Sequence, residues 1–301
     1  MPIPSPIDRL DSYISTLTNM LAYMQSLSPT ENSDLLHLSI DAYVNRLSCH
    51  HFRPNSKPLN FLCEFFLPLN SHMSSVRLDR AKNEFVDPNN TSVLNWLQQL
   101  SCGSPILLDI GANIGIYSAF ALGWGFSSAL AIEPHPLNFL SLIQFKYSNP
   151  HLNFLPLNAA CDTTNNLNIS DFVAFSVLNK NFAGVSHIFS DSLTANLTSD
   201  PIIVAPSFSV LFLIRQLKLW HLVAKLPYSM DKIVIKIDTD HVDFDILLAI
   251  LKSGLSKEFK AIIVEIINPT IQQSALLSKL NSFGLYIAEQ TSNDFLLMPI
   301  T

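Results

Sequence analysis

Glycine is scarce in this chain, with eight residues in 301. Charge is scarce too: Asp, Glu, Lys and Arg together make up 14%, and the 18 Lys and Arg form no run or stripe. Surfaces that bind polyanions cluster their cations, so no nucleic-acid partner is expected. The four cysteines, Cys49, Cys63, Cys102 and Cys161, lack paired spacing, which argues against a disulfide framework and for reduced thiols. Cys49, His50, His51 and Cys63 match no usual zinc-ligand spacing, and no metal site is expected there. A membrane-spanning run is missing as well: the oiliest window, Pro201 to Leu226, is broken by Arg215, Lys218, His221 and Lys225. The opening MPIPSPIDRLDS lacks the basic and apolar regions of a secretory leader, so a cytoplasmic location is expected.

What the chain does have is apolar bulk, 48% hydrophobic with mean hydropathy +0.28. That is enough for one large α/β domain with an accessory segment. With a net charge of -6, an oily surface leaves room for membrane-surface association or for a partner covering apolar area.

Residues 1–75 are expected to form a helical segment that caps a site or makes a dimer contact. Leu10, Ile14, Leu17, Leu21 and Met24 lie on one helical stripe, which leaves homodimerisation open, and a second helix uses Leu35, Leu38, Tyr43, Val44 and Leu47. His50 to Asn60 reads as a loop broken by Pro54 and Pro58. The second unit, residues 76–301, alternates strand and helix. Strands are expected at Pro105 to Asp109, Ala129 to Glu133, Asn153 to Leu157, Ile233 to Asp238 and Ala261 to Ile267. Helices fall between them, which specifies a parallel sheet with right-handed crossovers. Asn, Ser and Thr are dense from Asn165 to Ser199, suggesting loops and edge strands, and Val210 to Leu226 looks helical. A later helix takes Asn268 as N-cap, Pro269 at its first position and Gly284 just past its end. Leu285 to Ala288 and Phe295 to Met298 read as a closing antiparallel hairpin.

Five of the eight glycines, Gly103, Gly111, Gly115, Gly123 and Gly125, fall in one short window around LLDIGANIGIYS. Glycine directly after a buried strand permits a sharp turn and close approach of a ligand to the backbone. Asn113 tolerates a left-handed conformation, and the helix that follows aims its first amides at the same place, favouring carboxylate or phosphate. The text D-x-G-x-N-x-G differs from the dinucleotide fingerprint G-x-G-x-x-G in carrying Asp109 ahead of the first glycine. A carboxylate there repels a pyrophosphate and receives an ammonium. Glu133 ends the second strand in AIEPHP, where an acid characteristically binds ribose hydroxyls. Together these describe a site for an adenosine carrying an amino-acid tail, S-adenosyl-L-methionine. Asp162, in LNAACD, lies where an acid could meet the adenine amino group, or is an ordinary turn residue. A nicotinamide cofactor fits less well.

DIGANIGIYS, AIEPHPLNF, LNAACD and IKIDTDHVDFDIL resemble the FkbM family of S-adenosylmethionine-dependent methyltransferases over roughly Ser75 to Thr301. The resemblance implies a class I methyltransferase fold, Rossmann-like and doubly wound, with a seven-stranded sheet whose last strand is antiparallel. It implies O-methylation of a hydroxyl, often on a sugar or secondary metabolite, so the partner is a small-molecule or glycan acceptor. Carried over, Asp109, Gly111, Asn113 and Gly115 surround the methionine part, Glu133 the ribose and Asp162 the adenine. The family's Glu-Gly after the fourth strand is here Asp240-His241, a departure that puts the local site shape in doubt.

The acceptor hydroxyl must lose a proton. Asp238, Asp240 and His241 stand near where the methyl transfers, with His241 or Asp238 as the base; His241 reads equally well as a surface residue at a helix start. Asp238, Asp240, Asp243 and Asp245 form a run rather than a converging set, which does not specify a magnesium site. Glu265, ending the fifth strand, is a further candidate by position. The competing reading is a methyltransferase-fold scaffold that keeps the cofactor, lacks the chemistry and recruits a partner.

Overall fold

The structure, a computed structural model, describes residues 48–52, 63–67, 77–79, 84–86, 91–162, 169–177, 186–189, 202–239, 242–267 and 269–300. The stripe from Leu10 to Met24, the second expected helix, the Asp240-His241 pair and Asn268 lie outside these residues. Two hairpins come first: β1 (Ser48–Phe52) with β2 (Cys63–Leu67), and β3 (Arg77–Asp79) with β4 (Glu84–Val86). The first corrects two expectations, since a segment read as helical holds strands and His50 to Phe52 belong to a strand rather than a loop. Cys63–Leu67 reads CEFFL, a run whose aromatics favour the extended chain.

After α1 (Thr91–Leu100), the chain alternates β5 (Ile106–Ile110), α2 (Ile116–Gly123), β6 (Ser128–Ile132), α3 (Pro136–Ser148) and β7 (Phe154–Leu157). It then leaves the main sheet. β8 (Ala160–Asp162), β9 (Ile169–Val177), β10 (Ser186–Phe189) and β11 (Ile202–Ser209) form a separate sheet in the order β10-β9-β11-β8. The strand β11 occupies the start of the apolar window, ahead of the expected helix. It feeds α4 (Val210–Val223), whose N-cap Ser209 accepts from Phe212 N at 3.3 Å. The main sheet resumes with β12 (Ile233–Ile237), α5 (Asp243–Ser253), β13 (Ala261–Glu265), α6 (Ile271–Leu277), β14 (Leu285–Gln290) and β15 (Asp294–Pro299).

The main sheet runs β7-β6-β5-β12-β13-β15-β14. All pairs from β7 to β13 are parallel, and β15 is antiparallel to both neighbours. Numbered within this sheet, the order is 3-2-1-4-5-7-6 with the seventh strand reversed. This is the class I methyltransferase fold. The order turns back on itself between β5 and β12, so the crevice at their carboxyl ends is the place where doubly wound sheets bind ligands.

Period-two alternation sorts the strand residues into two cores. Ile106, Leu108 and Ile110 of β5, with Ile233, Ile235 and Ile237 of β12, face α4, α5 and α6. Leu107 and Val234 face α1, α2 and α3. By the same alternation Asp109 and Lys236 share this second face, and the register sets them directly opposite each other. One helix end differs from expectation. Thr270, not Asn268, caps α6, in a capping box with Gln273. The Thr270 side chain reaches the third helical amide while Gln273 returns to the cap, a reciprocal pair that outcompetes a lone Asn-Pro start. Gly284 stands in the left-handed conformation after the following 3-10 turn, Leu280–Phe283.

Candidate functional site

The turn after β5 is built around Gly111, at φ +76°, and Asn113, at φ +53°. A Cβ on Gly111 would meet the Asp238 carbonyl oxygen at 1.8 Å. Close approach there is thus backbone to backbone, between the ends of β5 and β12. Gly111 N and Ala112 N both donate to Ile132 O, at 3.0 and 2.9 Å, and Asp238 N donates to Ile110 O at 3.0 Å. Gly115, at φ +93°, is the N-cap of α2 and brings no side chain to the first-turn amides. Its missing Cβ leaves room for Leu142 of α3, whose Cδ2 would lie at 2.5 Å. Among the described residues no side chain caps the positive end of α2.

Asp109 is fully buried. Its Oδ2 accepts from Ser118 Oγ at 2.7 Å, and its Oδ1, which has no hydrogen-bond partner among the described residues, faces Lys236 Nζ at 3.5 Å. Lys236, 2% exposed, donates to Asp238 Oδ2 at 3.1 Å and lies 4.4 Å from the centre of the Tyr117 ring. Burial alone would lower the ammonium's pKa, but the Asp238 and Asp109 carboxylates outweigh it and the group stays charged. An ammonium beside Asp109 is what the sequence led one to expect of a ligand. Here the chain supplies one of its own.

Glu133, buried at the end of β6, ties the crevice together. Its Oε2 accepts from Asn113 N at 2.8 Å and its Oε1 from His135 N at 2.8 Å. Asn158, just past β7, donates from Nδ2 to the carbonyls of Glu133 and Pro134 at 2.9 and 3.0 Å. The carboxylate is held in place by these backbone donors, and Asn138 Nδ2 also donates to Oε1 at 3.4 Å. Burial pushes the His135 imidazole down to about 4, so it is neutral.

A second group gathers at the ends of β12 and β13. Asp243, at the start of α5, accepts from the amide and hydroxyl of Thr239. Burial and the Asp238 carboxylate raise it to about 6. Glu265, opposite Asp294 in the ladder, is raised to about 8 by burial and by Asp238, Asp294 and Asp243, with Lys236 opposing. Among the described residues no three His, Cys, Asp or Glu side chains group as metal ligands.

Of the expected site residues, Asp109, Gly111, Asn113, Gly115, Glu133 and Asp238 come together around the β5 and β12 ends. Asp162 does not follow the third main-sheet strand directly; it ends β8 in the second sheet, opposite Ser209. Asp240 and His241 are outside the described residues. Ser118, Tyr117 and Asn158 were not singled out, although Tyr117 and Ser118 close the quoted DIGANIGIYS.

Among solved structures the chain is similar to a ribosomal protein L11 methylase from Lactobacillus delbrueckii subsp. bulgaricus, at 13% identity over 72% of this chain and 81% of that one, TM-score 0.37. It is similar to the METTL16 MTase domain, at 10% identity over 72% and 69%, TM-score 0.39. It is also similar to a precorrin-6y C5,15-methyltransferase from Geobacter metallireducens GS-15, at 10% identity over 68% and 87%, TM-score 0.33. No family model matches the chain, and no curated protein matches it. The fold assignment rests on the strand order, and nothing about substrate passes from these neighbours to this chain.

Proposed function

We propose that the chain is an S-adenosylmethionine-dependent methyltransferase that methylates a hydroxyl on a sugar, glycan or secondary metabolite, as its FkbM-like motifs imply. The observation that carries this reading is the convergence, at the switch point of a class I sheet, of three unequal receptors. The α2 terminus lacks a side-chain cap and suits a carboxylate. The buried Asp109 Oδ1 accepts no hydrogen bond among the described residues, and an ammonium of the ligand would share this carboxylate with Lys236, 3.5 Å away. Glu133, fixed by Asn113 and His135, suits vicinal hydroxyls. These residues fit the methionine tail and ribose of S-adenosylmethionine, which supplies an electrophilic methyl group when bound.

The chain's own part is positioning and proton handling. Lys236 keeps Asp238 and Asp109 fixed on the sheet face. Glu265, whose carboxyl is raised to about 8, takes the proton of the acceptor hydroxyl in its ionised form. Asp238 and His241 remain candidates for the same role. The test is transfer of a labelled methyl group to a panel of glycans and hydroxylated metabolites. Label on an oxygen, lost in Glu265→Gln and retained in Asp245→Asn, supports the reading. Cofactor binding without label on any acceptor favours the scaffold.

A further inference from the structure

The helix α4 presents an outer face that nothing among the described residues covers. Its inner face is anchored: Leu213, Ile214 and Leu217 are in the core. His221 is fully buried, with Nδ1 2.8 Å from Pro227 O and Nε2 2.8 Å from Ser128 Oγ. Since a carbonyl only accepts, Nδ1 carries the proton, and Nε2 accepts from Ser128. On the opposite side Leu219, Leu222 and Val223 are 50%, 75% and 74% exposed. Arg215 and Lys218 are also exposed on this helix, and Lys225 follows at its end. From Pro201 to Met230 the chain has these three cations and no Asp or Glu, against a net charge of -6 for the whole.

We infer that this face docks on an anionic lipid surface. Three protruding apolar side chains among cations are what an interfacial helix offers: the apolar groups enter the headgroup boundary and the cations meet lipid phosphates and carboxylates. The helix is only 14 residues long, too short to cross a bilayer, so it lies on the surface. A second copy of the chain is a worse fit, because a two-fold contact sets Arg215, Lys218 and Lys225 of one copy against the same cations of the other. The rest of the acidic chain is repelled by the same lipids, so this face also sets the orientation.

The test is flotation of the full chain with phosphatidylcholine vesicles, with and without phosphatidylserine. The chain co-floats with the serine-containing vesicles only, and less so as salt rises. Lys218→Gln weakens partition about fivefold, one cation near the surface contributing about 1 kcal/mol. Leu222→Asp with Val223→Asp abolishes partition while melting stays unchanged, since both positions are exposed. Failure of the wild type to float, or equal flotation of the variants, overturns the inference. So does a wild-type dimer that these variants convert to monomer with no vesicle binding, because the face is then a contact between copies. No cofactor enters the assay, so its outcome is independent of the proposed chemistry.

Discussion

The substitution Gly111→Ala separates the two uses of glycine in this chain. A residue other than glycine at φ +76° costs about 1–2 kcal/mol for the left-handed backbone. The new Cβ also starts 1.8 Å from the Asp238 carbonyl oxygen, where no real contact falls below 3.0 Å, and neither atom belongs to a flexible side chain. The β5 turn and the β12 end must part by more than an ångström. That strains three backbone hydrogen bonds, from Gly111 and Ala112 to Ile132 O and from Asp238 to Ile110 O, each contributing about 1 kcal/mol net. The sum is about 4–5 kcal/mol, a large part of the roughly 5–15 kcal/mol by which a domain is stable. Gly103→Ala and Gly125→Ala are the internal controls. Their φ values are +85° and +105°, but a Cβ there meets nothing within 4 Å, so only the conformational cost of about 1–2 kcal/mol applies. Urea unfolding of the three variants measures the difference. Equal losses in all three refute the reasoning, because they mean the contact with Asp238 is absorbed without cost.

Glu133→Gln leaves one carbonyl oxygen for two backbone donors and turns an amide group against the other. The variant is expected to lose about 2–4 kcal/mol, the worth of the charge-assisted bonds from Asn113 and His135, and urea unfolding checks it. Lys236→Met strands Asp109 in the core without its counter-charge, at about 3–5 kcal/mol; adding Asp109→Asn restores most of the loss in the same assay, and no recovery contradicts the pairing. Glu265 gives a pH dependence. Its folded carboxyl, raised from 4.5 to about 8, binds a proton more tightly than in the unfolded chain. Its stabilisation is therefore complete below about 4.5 and is lost as pH rises through about 8. Melting temperatures of wild type relative to Glu265→Gln should fall across that window, and a flat difference speaks against it. If Glu265 is the proton acceptor, kcat/KM rises with pH through the same range.

Much of the sheet was legible because its strands are short, continuous apolar runs bounded by glycine and proline, and because Ile106 to Ile110 and Ile233 to Ile237 are covered on both faces. The second sheet was legible only in part: β9 and β10 fall in the stretch from Asn165 to Ser199 read as loops and edge strands, while β11 was not expected. β11 carries Pro206 and shifts register there, and the apolar run through Val210 continues straight into a helix with no break in pattern. Local backbone geometry was legible: Gly111, Asn113 and Gly115 take positive φ in the turn after β5. What the sequence could not reveal was direction. Gly111 faces Asp238 rather than open space, and Asp109 meets Lys236, distant in the chain and opposite only through the β5–β12 register. The α6 cap misread has the same root, since Asn268-Pro269 and Thr270-Ile271 offer rival starts and only the return of Gln273 decides between them.

The central claim is that the crevice at the carboxyl ends of β5 and β12, beside Glu133, holds an adenosine with an amino-acid tail. Calorimetric titration of the full chain with S-adenosylhomocysteine tests it without need of an acceptor. Saturable one-to-one heat that weakens in Glu133→Gln is the predicted result. A titration with no heat from a chain that is demonstrably folded, or heat that Glu133→Gln leaves unchanged, contradicts it.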